Sequence, residues 1–190
     1  MNPLPQDTVL IVIDVQQAFD DPSWGHRNNP AAESNIAALL AAWRDTQRSI
    51  IHIQHRSPRI KSLFHPSHPG FKVKPEAVPL PGEPVLYKRV NSSFIGTDLE
   101  QRLRENGVTT SVIVGITTDH CVSTTTRMAG NLGFVTYLVA DATATFERHG
   151  PDGRYFSAED MHDTALASLH REFATIVDSA SILKMLQPEI

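Results

Sequence analysis

The chain alternates short, unbroken apolar runs with longer stretches in which apolar residues return every three or four positions. Thr8–Val15, TVLIVIDV, is the clearest of the first kind. It is mostly β-branched and lacks polar alternation, as in a strand covered on both faces. Asn29-Pro30 then predicts a helix start, with asparagine as cap and proline in the first turn. Ile36, Leu39, Leu40 and Trp43 follow at helical spacing. Ser49–His55, Pro84–Lys88, Ser111–Gly115 and Phe134–Asp141 predict four further strands, and TIVD from Thr175 a last one. Thr97–Gly107 predicts a helix from its threonine cap, a glutamate three residues on, and a closing glycine. A helix is expected after Cys121, ending near Gly130–Gly133, and another over Ser157–Phe173.

Two connections break this rhythm. Arg56–Pro84 holds Pro58, Pro66, Pro69, Pro75, Pro79, Pro81 and Pro84, which argues against helix or central strand. Ala142–Tyr155 predicts a second loop. A structureless segment as long as the first is usually functional, an interface or disordered. No repeat or low-complexity tract is present, and 190 residues suit one domain. Alternating strands and helices imply parallel pairing through right-handed crossovers. The expected architecture is a three-layer α/β/α sandwich with a six-stranded, mainly parallel sheet.

Composition narrows the functional classes. A net charge of −4 without a basic block argues against nucleic acid as a partner. The apolar run Val9–Val15 is too short for a membrane span or a signal segment. Cys121 is the only cysteine, so no internal disulfide forms. A reduced, cytoplasmic setting is the expectation.

In parallel α/β folds, ligands sit outside the carboxyl ends of the strands. That rule places Asp14, Lys88 and Cys121, from distant parts of the sequence, at one rim. A thiol becomes a better nucleophile beside a cation or at a helix N-terminus. Lys88 is expected to supply the cation, with Arg89 as a rival, and the helix after Cys121 to supply the dipole. Asp14 is placed to take the thiol proton and later return it to a leaving amine. The turn at Gly115–Asp119 offers backbone N–H groups to an oxyanion.

IVIDVQ at Ile11–Gln16, YKRVNSSFIGTDLEQRL at Tyr87–Leu103 and GITTDHCVSTTTRMAGNLGF at Gly115–Phe134 resemble the isochorismatase-like cysteine hydrolases. The resemblance runs from about Thr8 to Val177, and the third motif is most similar to the streptothricin hydrolase-like branch. It implies an Asp14–Lys88–Cys121 catalytic triad and a cis peptide before Thr117. It also implies an oxyanion hole built from the Thr117 and Cys121 amides. The implied reaction is hydrolysis of a small amide, carbamoyl or lactam C–N bond through a thioester on Cys121, without a cofactor. Homo-oligomers, dimers or tetramers, are expected on the same ground. Substrate contacts are expected from Gln16, Phe19, Phe94, His120 and Phe146, with Trp24 and Asn91 as further rim candidates.

The chain also departs from the family. Nicotinamidases in it bind a metal through an Asp-x-His pair after the second strand, where this sequence has His55-Arg56-Ser57. No catalytic metal is expected, although His65 and His68 remain possible ligands for a stray cation. Ala18 stands where many relatives carry an acidic residue before the phenylalanine. Other classes compete. HCVSTTTR, His120–Arg127, formally matches the His-Cys-x5-Arg phosphatase signature, but lacks the glycines such a loop needs to curl. Vinyl-ether hydrolysis and a catalytically silent binding protein on the same fold are the remaining alternatives.

Overall fold

The structure, a computed structural model, describes residues 2–186. Strand β1 (Val9–Ile13) leads to helix α1 (Ala32–Asp45), then β2 (Ile50–His55), β3 (Val85–Lys88), α2 (Leu99–Glu105) and β4 (Thr110–Ile116). Next come α3 (Ser123–Asn131), β5 (Val135–Ala144), a hairpin of β6 (Arg148–His149) and β7 (Tyr155–Phe156), α4 (Ala158–Leu169), β8 (Thr175–Val177) and α5 (Ser179–Met185). Six strands form one sheet in the order β3-β2-β1-β4-β5-β8, with every neighbouring pair parallel.

The pleat of β1 explains its unbroken apolar run. Leu10 and Val12 face one core with Ile36, Leu40, Trp43 and Ile182, from α1 and α5. Val9, Ile11 and Ile13 face a second core with Leu99, Leu103, Ala129 and Leu169, from α2, α3 and α4. Both faces are therefore dry, and alternation would have left polar groups buried. Trp43, the largest fully buried side chain, donates its indole N–H to the Thr8 carbonyl at 3.2 Å.

Four boundaries differ from the sequence reading. Helix α1 begins at Ala32, because Asn29 adopts a left-handed φ of 44°. Its amide reaches across to the Ala140 and Thr143 carbonyls at 3.0 and 2.8 Å rather than capping its own helix. Helix α4 stops at Leu169, short of Phe173, and Ser157 and Asp160 form a capping box at its start. The Ala142–Tyr155 segment is not all loop: it prolongs β5 to Ala144 and adds the β6–β7 hairpin. Helix α5 was not anticipated. Asp178 caps it by accepting from the Ser181 amide at 2.7 Å. The proline-rich Arg56–Pro84 segment holds two 3-10 turns, Pro69–Phe71 and Pro75–Ala77, and pairs with Gln16 through Val73.

Candidate functional site

Four adjacent strands end at one place. Asp14 follows β1, His55 closes β2, Lys88 closes β3 opposite His55 in register, and Cys121 lies in the turn after β4. Asp14 is non-glycine at a φ of 51°, a conformation that aspartate tolerates better than most residues. Lys88 and Asp14 have side chains 0% and 1% exposed, joined at 2.5 Å between Nζ and Oδ2. Lys88 Nζ also donates to the Cys121 Sγ at 3.2 Å and to the Val90 carbonyl at 3.2 Å. An ammonium has three hydrogens, and these acceptors take all of them. The second Asp14 oxygen, Oδ1, is buried without a hydrogen-bond partner among the described residues.

The electrostatics correct one expectation. Burial, joined by the Asp14 charge, pushes the Cys121 thiol up, and Lys88 does not reverse this. Burial also works against the Lys88 charge, but Asp14 and Cys121 prevail and raise it, so the ammonium persists. That balance favours the thiol over a standing thiolate. The helical geometry at the cysteine also differs from the expectation. Thr118–Val122 is a π-helical turn, and α3 proper starts only at Ser123.

That turn is fixed from both sides. The Ile116–Thr117 peptide is cis. The Thr117 amide donates to no backbone carbonyl among the described residues, whereas its carbonyl accepts from His120 and Val122 at 3.3 and 3.2 Å. Gly115, at a φ of 132°, lies against β1 so closely that an added Cβ would stand 2.0 Å from the Ile13 carbonyl oxygen. On the far side, buried His162 of α4 contacts the Thr118 hydroxyl through Nδ1 at 2.9 Å. Its Nε2 lies 3.4 Å from the Asn29 amide nitrogen. Both hydrogens of that amide already serve the Ala140 and Thr143 carbonyls, so the Thr118 hydroxyl is the main polar partner of the His162 ring. Burial holds His162 below the usual histidine range, consistent with a neutral ring. Asp119 accepts from Thr145 at 2.5 Å and lies 3.5 Å from Arg148. Sequence reading missed His162, whose only signal was a histidine among the apolar positions of a helix.

A pocket of about 110 Å³ opens beside Cys121, and Asp14, His55, Asn91, Thr117 and His120 also border it. Phe19, Trp24 and Phe64 form its wall. Phe146 does not line it but stacks behind Phe19 and Trp24, with centroids at 6.0 and 5.4 Å. Two expected substrate contacts lie elsewhere. Gln16 is fully buried and bonds the backbone of His55 and Phe71 through both ends of its amide. Phe94 packs in the core against Phe134. Both were chosen for nearness to a motif, yet their side chains point into the protein. Phe64 was missed because nothing in a proline-rich stretch fixes which residue turns inward.

The remaining candidates separate cleanly. Ligand atoms of Asp14, His55 and Cys121 lie within 4.8 Å of one another, close enough to share an ion. Lys88 Nζ stands among them, 3.4 Å from His55 Nδ1, and already supplies a positive charge there. His65 and His68 use their Nδ1 atoms within their own turns, with Ser67 at 2.7 Å and the Gly70 amide at 3.0 Å. Arg89 is exposed in a separate hollow with Tyr87 and Val90. Arg127 bonds Ser168 at 2.7 Å and lies over the Phe173 ring, facing α4. The residues after Cys121 are helical, so they form no phosphate loop and the phosphatase alternative is set aside.

A parallel sheet whose strand ends gather a buried thiol, a carboxylate and an ammonium defines a class of α/β hydrolases. The isochorismatase domain model matches residues 8–181, and the chain belongs to the isochorismatase family. It is 50% identical to YrdC of Bacillus subtilis (strain 168), an uncharacterized member, over 95% of this chain and 96% of that one. An isochorismatase-family structure from Chromobacterium violaceum ATCC 12472 superposes with a TM-score of 0.96 at 45% identity, covering 98% of this chain and 96% of that one. More distant relatives include one named as an amidohydrolase and one named as a hydrolase. The ureidoacrylate amidohydrolase RutB of Methylobacterium radiotolerans is 28% identical over 93% of this chain and 78% of its own length. Streptothricin hydrolase of Streptomyces noursei is 29% identical over 84% of this chain and 55% of its own length. The expected kinship with that branch is thus distant. No helix among the described residues is long and apolar enough to cross a membrane.

Proposed function

We propose that this chain is a cysteine amidohydrolase that cleaves a C–N bond of a small molecule through a thioester on Cys121. One observation carries the reading. A buried thiol lies within 4.8 Å of a carboxylate oxygen of Asp14, and Asp14 Oδ1 has no hydrogen-bond partner among the described residues. A thiol that keeps its proton needs a base within reach at the moment of attack.

The steps follow from the geometry. Sγ attacks the amide carbonyl carbon while Asp14 takes the thiol proton. The carbonyl oxygen gains negative charge and is held by the Thr117 and Cys121 amides. The tetrahedral centre collapses, the C–N bond breaks, and Asp14 gives its proton to the departing nitrogen. Water then gives a proton to Asp14 and its oxygen attacks the thioester. The C–S bond breaks, and the sulfur recovers the proton from Asp14. Lys88 keeps Asp14 oriented through Oδ2 and steadies negative charge as it passes between oxygen and sulfur. The amidohydrolase name among the relatives supports C–N cleavage over other hydrolyses.

The test is ammonia or amine release across an amide panel, with mass-spectrometric capture of an acyl group on Cys121. Activity is expected in the wild type and a loss of about 10³-fold or more in Cys121→Ala. Turnover that survives Cys121→Ala would overturn the reading.

A further inference from the structure

The opposite rim of the sheet carries a second cleft, of about 480 Å³ against about 110 Å³ beside Cys121. It lies where β1 and β2 begin, bordered by the ends of α1 and α2 and by the Leu80–Pro84 turn. The length of β2, about 16 Å, separates it from His55 at the reactive rim. Small-molecule sites commonly occupy about 300–1,000 Å³. Val9, Ile50, Ile51, Leu103 and Val108 give this one an apolar floor.

Its wall is basic. Arg44, Arg48 and Arg102 border it, and Glu83 is the one carboxylate among the lining residues. Glu83 is already spent: Arg44 takes its two oxygens at 2.8 and 3.0 Å, and the Leu80 amide and His52 add contacts at 2.9 and 2.8 Å. Arg102 meets Asp98 through Nε at 2.8 Å, and its two terminal nitrogens have no hydrogen-bond partner among the described residues. Arg44 and Arg102 stand in last turns, where a cation complements the helix end. Arg48 has no such reason to be there. It lies beyond α1, and its terminal nitrogens donate to the Leu4 and Pro5 carbonyls instead of to a carboxylate. Its Nε–H is buried without a partner among the described residues. Burial pushes this guanidinium below its usual range, and Asp7 offsets that only in part. A buried donor left unpaired is destabilising, and an acceptor brought by a ligand would relieve it.

The helix ends that would repel an anion are closed. At α1, the Ala42, Trp43 and Arg44 carbonyls accept from the amides of Thr46, Arg48 and Gln47 in that order. At α2, the Arg102 carbonyl accepts from both nitrogens of Asn106, and that of Leu103 from Val108.

We propose that this cleft binds a small organic anion, a carboxylate or a phosphate monoester, with its head among Arg48 and Arg102 and its apolar body on the floor. The arginine fork fits either head. Three arginines against one matched glutamate give the cleft a positive field in a chain of net charge −4. The site is distinct from the one at Cys121 and is independent of the amidohydrolase reading.

Isothermal titration calorimetry on the Cys121→Ala chain tests it. The probes are 4-phenylbutyrate and 4-phenylbutyl phosphate, against 4-phenylbutan-1-ol, 4-phenylbutylamine and acetate. At least one of the two anions is expected to bind about tenfold or more tightly than the alcohol, the amine or acetate, and the tighter of the two identifies the head group. Arg48→Lys keeps the charge but loses the Nε–H, and Arg102→Gln removes a charge whose side chain is 42% exposed. Each should weaken binding about tenfold. Ser49→Trp, at an exposed lining position, should fill the cleft and abolish binding while the denaturation midpoint stays near that of the parent. Equal binding of the alcohol or the amine would overturn the charge assignment. Equal binding of acetate would overturn the apolar floor. Anion binding that survives Ser49→Trp and both arginine variants would place the ligand elsewhere and overturn the site, as would no heat from either anion.

Discussion

Two buried lysines, Lys74 and Lys88, each anchor a charge cluster, and the two clusters are wired differently. Lys74 donates to Glu33 at 2.7 Å and to Asp20 at 2.5 Å, while Arg27 grips both Glu33 oxygens at 2.7 and 2.5 Å. Every oxygen of that buried carboxylate is matched. Around Lys88 the ammonium is saturated, but Asp14 keeps one oxygen idle and a thiol waits beside it. This cluster, whose one idle atom is a donor, Arg27 Nε, ties the loop carrying Phe19 and Trp24 to α1 and to the proline-rich segment. The unsaturated one retains acceptor capacity for a moving proton. A buried carboxylate with both oxygens matched is a strut, and one with an oxygen withheld keeps room for a proton.

The sharpest way to break the contrast is to neutralise each lysine. Lys88→Met strands Asp14 and the thiol together. Activity is expected to fall about 10³-fold or more, with stability lowered by about 3 kcal/mol through the uncompensated carboxylate. Amide turnover and chemical denaturation measure the two losses. Lys74→Met should cost comparable stability while kcat changes little, because no reacting atom is touched. Its mark is a higher KM as the aromatic wall loosens. A collapse of kcat in Lys74→Met at full folding would erase the distinction.

Acid sharpens it from another side. Burial opposes the charge of Glu33, but Arg27 and Lys74 outweigh it and hold the carboxyl at about 2. Glu83 is likewise held at about 2, where Arg44, the Leu80 amide and His52 outweigh burial. Both folded values lie below the ordinary 4.5, so their stabilisation is present above that pH and is lost as pH falls toward 2. Together they should lose on the order of 3 kcal/mol after solvent screening. Burial also depresses His52 and His162 below 6.5. Unfolded imidazoles then take up protons sooner than folded ones, and the decline begins below that pH. Denaturation midpoints measured from pH 7 to 3 should fall throughout, and a flat profile would contradict the assignment.

The smallest expected effect concerns the turn itself. His162→Ala removes the hydrogen-bond partner of the Thr118 hydroxyl and should lower kcat about tenfold with little change in KM. His162→Asn places a polar amide near the Nδ1 position and should recover most of the loss, whereas His162→Gln should not. Equal defects in all three would mean simple core damage.

Most of the architecture was legible because the central strands β1, β2 and β4 are dry on both faces and are rich in β-branched apolar residues. Asp14, Lys88 and Cys121 were legible through the strand-end rule and the family motifs. The thiol's protonation was not, since a motif shows which groups are neighbours but not how deeply they are buried. Gln16 and Phe94 were misplaced because adjacency along the chain does not fix the direction of a side chain. Phe64 and His162 stayed hidden for the reciprocal reason: they come from segments far away in sequence. Asn29 misled as a helix cap because its amide serves a distant strand instead.

One absent methyl group has a wider reach than its size suggests. Because Gly115 lets two neighbouring chains touch just before each delivers its reactive residue, the gauge between proton acceptor and sulfur belongs to the main chain. The aromatic panels opposite are mounted on outlying connections that contribute nothing to that gauge. Substitutions in the panels can therefore reshape the hollow while the separation of carboxylate and sulfur stays set by the main chain.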